Sequence, residues 1–212
     1  MSSPYEWFEI GSSLTMTRIL LTLASLSLIL MAAALAVGLT IGDLYHDPSF
    51  QTLHWATVHR LTGIAAALMV VLVESVVVTY FVGTSRWCKE VTETYRLDPE
   101  PARESNRLKR RAFAWSTVGM LTIVGVIALG AASDPATGRQ DTQSWANYHL
   151  AGALGGLLFV AWTYVTAWNL TSANQTLIER IVAEVDRIRR DRGLAADRPP
   201  PASTAPPRAA QD

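Results

Sequence analysis

The chain alternates four long apolar stretches with charged segments, and that alternation restricts it to a protein that crosses a bilayer four times. Residues 19–41 carry no charged side chain. At about 1.5 Å of helical rise per residue, a run of that length covers a hydrocarbon core of about 30 Å. Apolar runs over residues 53–82, 113–132 and 145–168 are long enough to do the same. Hydrophobic residues make up 50% of the 212 and charged residues 17%, a ratio that leaves a soluble domain too little polar surface. A cleaved signal peptide would place a basic cluster before a shorter apolar run. Here only Arg18 precedes the first run, so that run is expected to be retained. The expected fold class is all-α: an integral membrane four-helix bundle over residues 17–171, with cytoplasmic helical extensions.

Charge placement gives the direction of the spans. Loop 84–111 contains Arg86, Lys89, Arg96, Arg103, Arg107, Lys109, Arg110 and Arg111, whereas the two opposite loops contain only Arg139. Basic loops stay on the cytoplasmic side. Arg180, Arg187, Arg189, Arg190 and Arg192 put the segment after the fourth span on that side too. Both termini are therefore expected in the cytoplasm, with a bacterial inner membrane as the host. Trp55 and Trp145 near the outer ends, and Trp87, Trp115 and Trp168 near the inner ends, fit interfacial aromatic belts. Basic and acidic residues balance at 18 each, so nothing points to nucleic acid.

Outside the spans, residues 1–16 group Tyr5, Trp7 and Phe8 with Glu6 and Glu9, which suits either a surface helix or a frayed terminus. Loop 84–111 breaks at Asp98, Pro99, Glu100 and Pro101 into helical extensions of spans two and three. Leu177, Ile178, Ile181, Val182, Val185 and Ile188 recur at helical spacing over residues 172–193. That stripe needs a partner, either the basic loop or another subunit. Residues 194–212 are rich in Pro and Ala and are expected to be a disordered tail. Cys88 has no second cysteine to pair with, and a buried or cytoplasmic thiol is its ordinary reading.

All four histidines, His46, His54, His59 and His149, belong to the outer half of this topology. His46 shares a polar loop with Asp43 and Asp47, where solvation accounts for it, and His54 lies at the entrance of span two. His59 lies about six residues inside span two, roughly 9 Å deep. An imidazole facing lipid at that depth would be an unsatisfied polar group, so it should face the bundle interior. His149 enters span four to a comparable depth. Helical phase places Gly63, Ala66 and Val70 near the direction of His59, with the span's only carboxylate, Glu74, at its edge. Gly152 and Gly156 follow His149 on a similar face.

A porphyrin needs an axial nitrogen on each side of iron and small residues where the ring meets a helix. His59 and His149, flanked by Gly63 and Gly152, supply that pattern, and Arg60 would meet propionates near the outer surface. The same residues also admit a packing role: Gly152-x-x-x-Gly156 is a helix-association motif, and buried histidines commonly bond a neighbouring helix. Two imidazoles are too few for a bare zinc or copper site unless His46, His54 or Asp43 joins them. Glu74 within a span is costly. It is expected to be protonated and bonded to a Thr or Tyr of another helix, with a proton relay as the alternative.

The string Val58-His59-Arg60-Leu61-Thr62-Gly63 near the start of a second span, followed by His149 near the start of a fourth, resembles the haem-binding four-helix halves of haem A synthase. It is also similar to the His-Arg-x-x-Gly segment in the membrane anchors of succinate dehydrogenase, which are b-type cytochromes. The resemblance implies that His59 and His149 are the axial pair for one haem b. Haem A synthases have eight spans built from two such halves, so one half does not imply haem modification.

Two functions follow as expectations. One is an electron-transfer subunit with a haem near the outer face, served by a quinol or a periplasmic donor and set among other membrane subunits. The other is a cofactor-free structural or assembly subunit. Four spans without broken helices or midplane charge clusters give a transporter little to bind a substrate with, and no nucleophile–base pair or phosphate loop marks an enzyme.

Overall fold

In the computed structural model, which describes residues 11–46 and 48–194, the chain forms four helices joined by tight connections. They are α1 (Gly11–Thr40), α2 (Phe50–Tyr95), α3 (Glu100–Ser133) and α4 (Ala146–Asp191). Short 3-10 turns at Pro135–Thr137 and Thr142–Trp145 precede α4. No strand occurs among the described residues, so the architecture is the all-α bundle that the hydropathy pattern predicts. Asp47, the aromatic N-terminal segment up to residue 10 and the tail from residue 195 lie outside the described residues.

All four helices are long and apolar enough to cross a membrane. Their outward faces are greasy: Ile29, Leu61, Leu68, Leu121, Leu158 and Val165 are all exposed. A surface of this kind is stable against hydrocarbon and not against water. The helices follow one another around a ring, α1 against α2, α2 against α3, α3 against α4, and α4 back against α1. Leu20, Met31, Val70, Val73, Val77, Phe81, Ile123, Val160 and Ala167 fill the centre in one continuous core.

α2 and α4 have 46 residues each, or about 69 Å at 1.5 Å per residue, twice the hydrocarbon thickness. The surplus lies at the basic end of the bundle. There α2 stops where Arg96 takes a left-handed conformation (φ 54°) and returns backbone bonds to Thr92 and Glu93. Pro99 and Pro101 then start α3, consistent with the preference of proline for a helix's first turn. The apolar stripe of α4 finds its cover within the chain: Leu177 and Ile181 are buried, and Leu108 of α3 joins Leu177 in the core. Cys88 is wholly buried in this extension, and burial pushes its thiol up from the usual value. A neutral thiol without solvent access is inert.

At the opposite end the α1–α2 connection turns on Asp43. Its carboxylate accepts the backbone N–H groups of Tyr45 and His46 and pairs with the His46 ring at 2.9 Å. These donors, the Tyr45 amide foremost, hold Asp43 below the ordinary aspartate value. Because the folded value is depressed, the turn's contribution is present above the ordinary value and lost as pH falls through the lowered one. The amides of Tyr45 and His46 should stay protected from exchange below the pH at which a free aspartate protonates, and lose protection on further acidification. Amide exchange by NMR in micelles measures this, and loss of protection already at the ordinary value would contradict it.

Candidate functional site

The histidine end of the bundle is built by two helical hairpins, α1–α2 and α3–α4, that arrange the same parts in the same way. His59 of α2 leans on α1, where its Nδ1 bonds the Ala34 carbonyl at 2.9 Å. A carbonyl only accepts, so Nδ1 carries a hydrogen, which in a neutral ring leaves Nε2 with a free lone pair. One turn beyond Ala34 stands Gly38. A Cβ there would lie 2.8 Å from His59 Cε1 and 3.1 Å from Nδ1. The ring occupies the place a side chain would take.

His149 of α4 repeats this against α3. A Cβ on Gly130 would lie 3.1 Å from its Cε1, and the carbonyl of Val126, one turn before Gly130, approaches the ring. That approach is looser than its counterpart, because His149 Nδ1 is buried and closes no hydrogen bond. The two imidazoles meet across the bundle with ring centres 6.0 Å apart and planes at 75°. Two imidazoles on opposite sides of one metal atom, with bonds of about 2.0–2.1 Å, have ring centres roughly 6.4 Å apart. The observed separation is close to that distance. No third His, Cys, Asp or Glu joins them in a metal-holding group among the described residues. A two-nitrogen set suits a metal whose other ligands come from a macrocycle better than a bare ion that needs four protein ligands.

The other residues expected at the site are placed differently. Arg60 bonds Asp134 at 3.3 Å, Thr57, and the Ala56 carbonyl. With Tyr45, whose hydroxyl donates to the Ser133 carbonyl at 3.0 Å, it ties the first hairpin to the end of α3. Gly63 has nothing within 4 Å of its Cβ position. Gly152 and Gly156 face α3 and not an imidazole: their Cβ positions lie 2.5 Å from Leu129 and 2.7 Å from Val126. They are packing glycines of the α3–α4 contact. Valine at Gly152 should therefore lower thermal stability by an overpacking cost of about 1–3 kcal/mol, read as a lower unfolding midpoint in detergent. An unchanged midpoint would contradict the close contact.

His46 and His54 stay away from the pair: His46 is held by Asp43 and exposed, and His54 is exposed beside Trp55. Gly38 and Gly130 went unread in the sequence, although each stands in the last turns of the span before its histidine, 21 and 19 residues upstream. A glycine at matching depth in the preceding span is the signal that would have found them.

Glu74 lies deeper, between α2, α3 and α4, and is 1% exposed. Thr163 of α4 supplies the hydroxyl, 2.8 Å from Oε1, Ser116 of α3 faces the carboxyl, and Gly119 leaves room for it, since a Cβ there would come 2.6 Å from Oε1. Oε2 has no hydrogen-bond partner. No family model, curated protein or solved structure matches this chain.

Proposed function

We propose that this protein is a membrane cytochrome b-like subunit that holds one haem b between α2 and α4, with His59 and His149 as axial ligands. The observation that carries the reading is the paired imidazoles, 6.0 Å apart and each seated over a glycine of the neighbouring helix. Two further features support it. The Ala34 carbonyl fixes the His59 tautomer that leaves Nε2 free, the arrangement by which protein groups usually orient a ligating histidine. The buried Nδ1 of His149 lacks an acceptor, and a small turn of that ring toward the Val126 carbonyl would provide one.

When bound, the haem would supply one-electron chemistry. What the chain itself does is bring the two imidazoles together across the bundle and keep bulk off the neighbouring helices at Gly38 and Gly130. With its basic residues in the cytoplasm, the histidine layer lies near the outer face of a bacterial inner membrane, and both ends of the chain lie inside. A quinol or a periplasmic protein is then the electron donor. A single haem near one face does not span the bilayer, so onward transfer requires another membrane subunit.

Purified protein in detergent is tested by a reduced-minus-oxidised visible spectrum and a pyridine haemochrome assay. A sharp low-spin α-band and one haem per chain are expected. A colourless, folded preparation from haem-replete cells overturns the reading and favours a cofactor-free assembly subunit.

A further inference from the structure

Glu74 lies in a layer of the bundle that contains no other formal charge. No Lys, Arg, Asp or Glu occurs between Arg18 and Asp43 on α1, between Arg111 and Asp134 on α3, or between Asp141 and Glu179 on α4. On α2 itself Glu74 is the only charged residue between Arg60 and Arg86. The remaining ionisable groups that face the interior near it are the phenols of Tyr80 and Tyr164, with the histidine pair about 22 Å away along the helix. A carboxylate here would have no cation to pair with, a state that hydrocarbon does not tolerate.

The hydrogen bonds agree. Thr163 Oγ1 lies 2.8 Å from the Val160 carbonyl and 2.8 Å from Glu74 Oε1. A hydroxyl has one hydrogen. When Thr163 gives it to the carbonyl, as helical threonines commonly do, the hydrogen between Thr163 and Glu74 must come from a protonated carboxyl.

Between Glu74 and the histidine layer the buried side chains are apolar, whereas toward the basic end buried polar side chains alternate with Val77, Phe81, Ala167 and Leu170. Toward the histidines the buried neighbours are Ala66, Ala67, Val70, Val73, Ile123 and Val160. Toward the basic end the interior carries hydroxyl and amide groups from all four helices. Ser27 of α1 bonds Tyr164 of α4 at 2.8 Å. Asn174 of α4 donates to Thr84 at 3.0 Å and to Tyr80 at 3.4 Å, and accepts from Ser105 of α3 at 2.9 Å. Thr17 of α1 and Gln175 bond each other at about the depth of Asn174. Thr171, between these groups and Thr163 on the buried strip of α4, has a buried hydroxyl with no protein partner, as does Thr92 further out. Buried hydroxyls in that state ordinarily bond water.

We propose that Glu74 is a proton-binding site, reached from the basic end of the bundle along these polar groups and closed toward the histidine end. A proton passes from hydronium at the basic surface along hydroxyls and intervening water, with the Asn174 amide holding the Thr84 and Ser105 hydroxyls in place. It forms an O–H bond on the Glu74 carboxylate and leaves water behind, and nothing is oxidised or reduced. The site stands on its own geometry and does not depend on the haem reading.

Infrared spectroscopy of the full-length protein in bilayers tests it. The unsubstituted protein should show a carboxylic-acid carbonyl band at neutral pH that Glu74→Gln abolishes and that shifts on transfer to deuterium oxide. Thr84→Val and Asn174→Leu should keep the band but slow its deuterium shift about tenfold, the consequence of about 1.4 kcal/mol added to a barrier. Thr84→Val is nearly isosteric and carries the test if Asn174→Leu fails to fold. Absence of the acid band from the unsubstituted protein, or a deuterium shift as fast in Thr84→Val as in that protein, overturns the proposal.

Discussion

On the proposed haem reading, alanine at His59 or at His149 should remove the low-spin haem spectrum, while alanine at His46 or His54 should leave it unchanged. The two rings of the first pair meet at 6.0 Å inside the bundle, so either substitution takes one nitrogen from a two-nitrogen set, and no third side chain of a metal-holding group stands by among the described residues. Haem content after purification should fall from one per chain to a small residue, and what remains should be high-spin with a single axial ligand. His46 is an exposed partner of Asp43, and His54 is exposed beside Trp55. Their alanine variants are therefore controls for expression and handling. Circular dichroism separates loss of the site from loss of the fold, since the core of Val70, Val73, Val77, Phe81 and Val160 does not include either ring. A variant of His59 or His149 that kept a full low-spin spectrum would show that the axial assignment is wrong.

Alanine at Gly38 should damage the site while changing the stability of the bundle little. The gain in helix propensity and the loss of the His59–Ala34 bond are each about 1 kcal/mol and oppose each other. Alanine is the better helix former by about 1 kcal/mol, so a purely structural glycine in this position would be improved by the change. Here the new Cβ would come 2.8 Å from His59 Cε1 and 3.1 Å from Nδ1. The imidazole is the movable party, so it swings away and gives up its bond to the Ala34 carbonyl. A mixed or high-spin spectrum and a shifted midpoint potential are expected. Gly130→Ala should act in the same direction and more gently, because its nearest contact is 3.1 Å. The informative contrast is Gly63→Ala, which meets nothing within 4 Å and should leave the spectrum unchanged. Equal effects from Gly38→Ala and Gly63→Ala would remove the role assigned to Gly38.

The contrast between these glycines shows how much of the site can be read before folding. His59 and His149 are legible because a polar ring within an apolar run has to be satisfied somewhere inside the bundle. Phase along a single helix then nominates Gly63 and Gly152 as their companions. Helical phase reports only which residues share a face, and the group that fills the space before that face belongs to another helix. The neighbours of the imidazoles are Gly38 on α1 and Gly130 on α3, while Gly152 serves Leu129 and Arg60 serves Asp134. The partner of Glu74 was open for the same reason: a Thr or Tyr could be anticipated, but Thr163 is chosen by how α2 and α4 face each other.

By itself the sequence determined the solvent, the number of helices and the need for an interior that accepts two imidazoles and one carboxylate. Those follow from run length, from hydropathy and from the cost of an unsatisfied polar group in lipid, all of which are local quantities. The tertiary structure decided which helices exchange contacts, that the apolar stripe of α4 is covered by the chain itself, and that buried polar groups lie between Glu74 and the basic end and not between it and the histidines. These are decided by the rotation and depth at which each helix packs against the next. Interdigitation of side chains from residues far apart in the chain sets both.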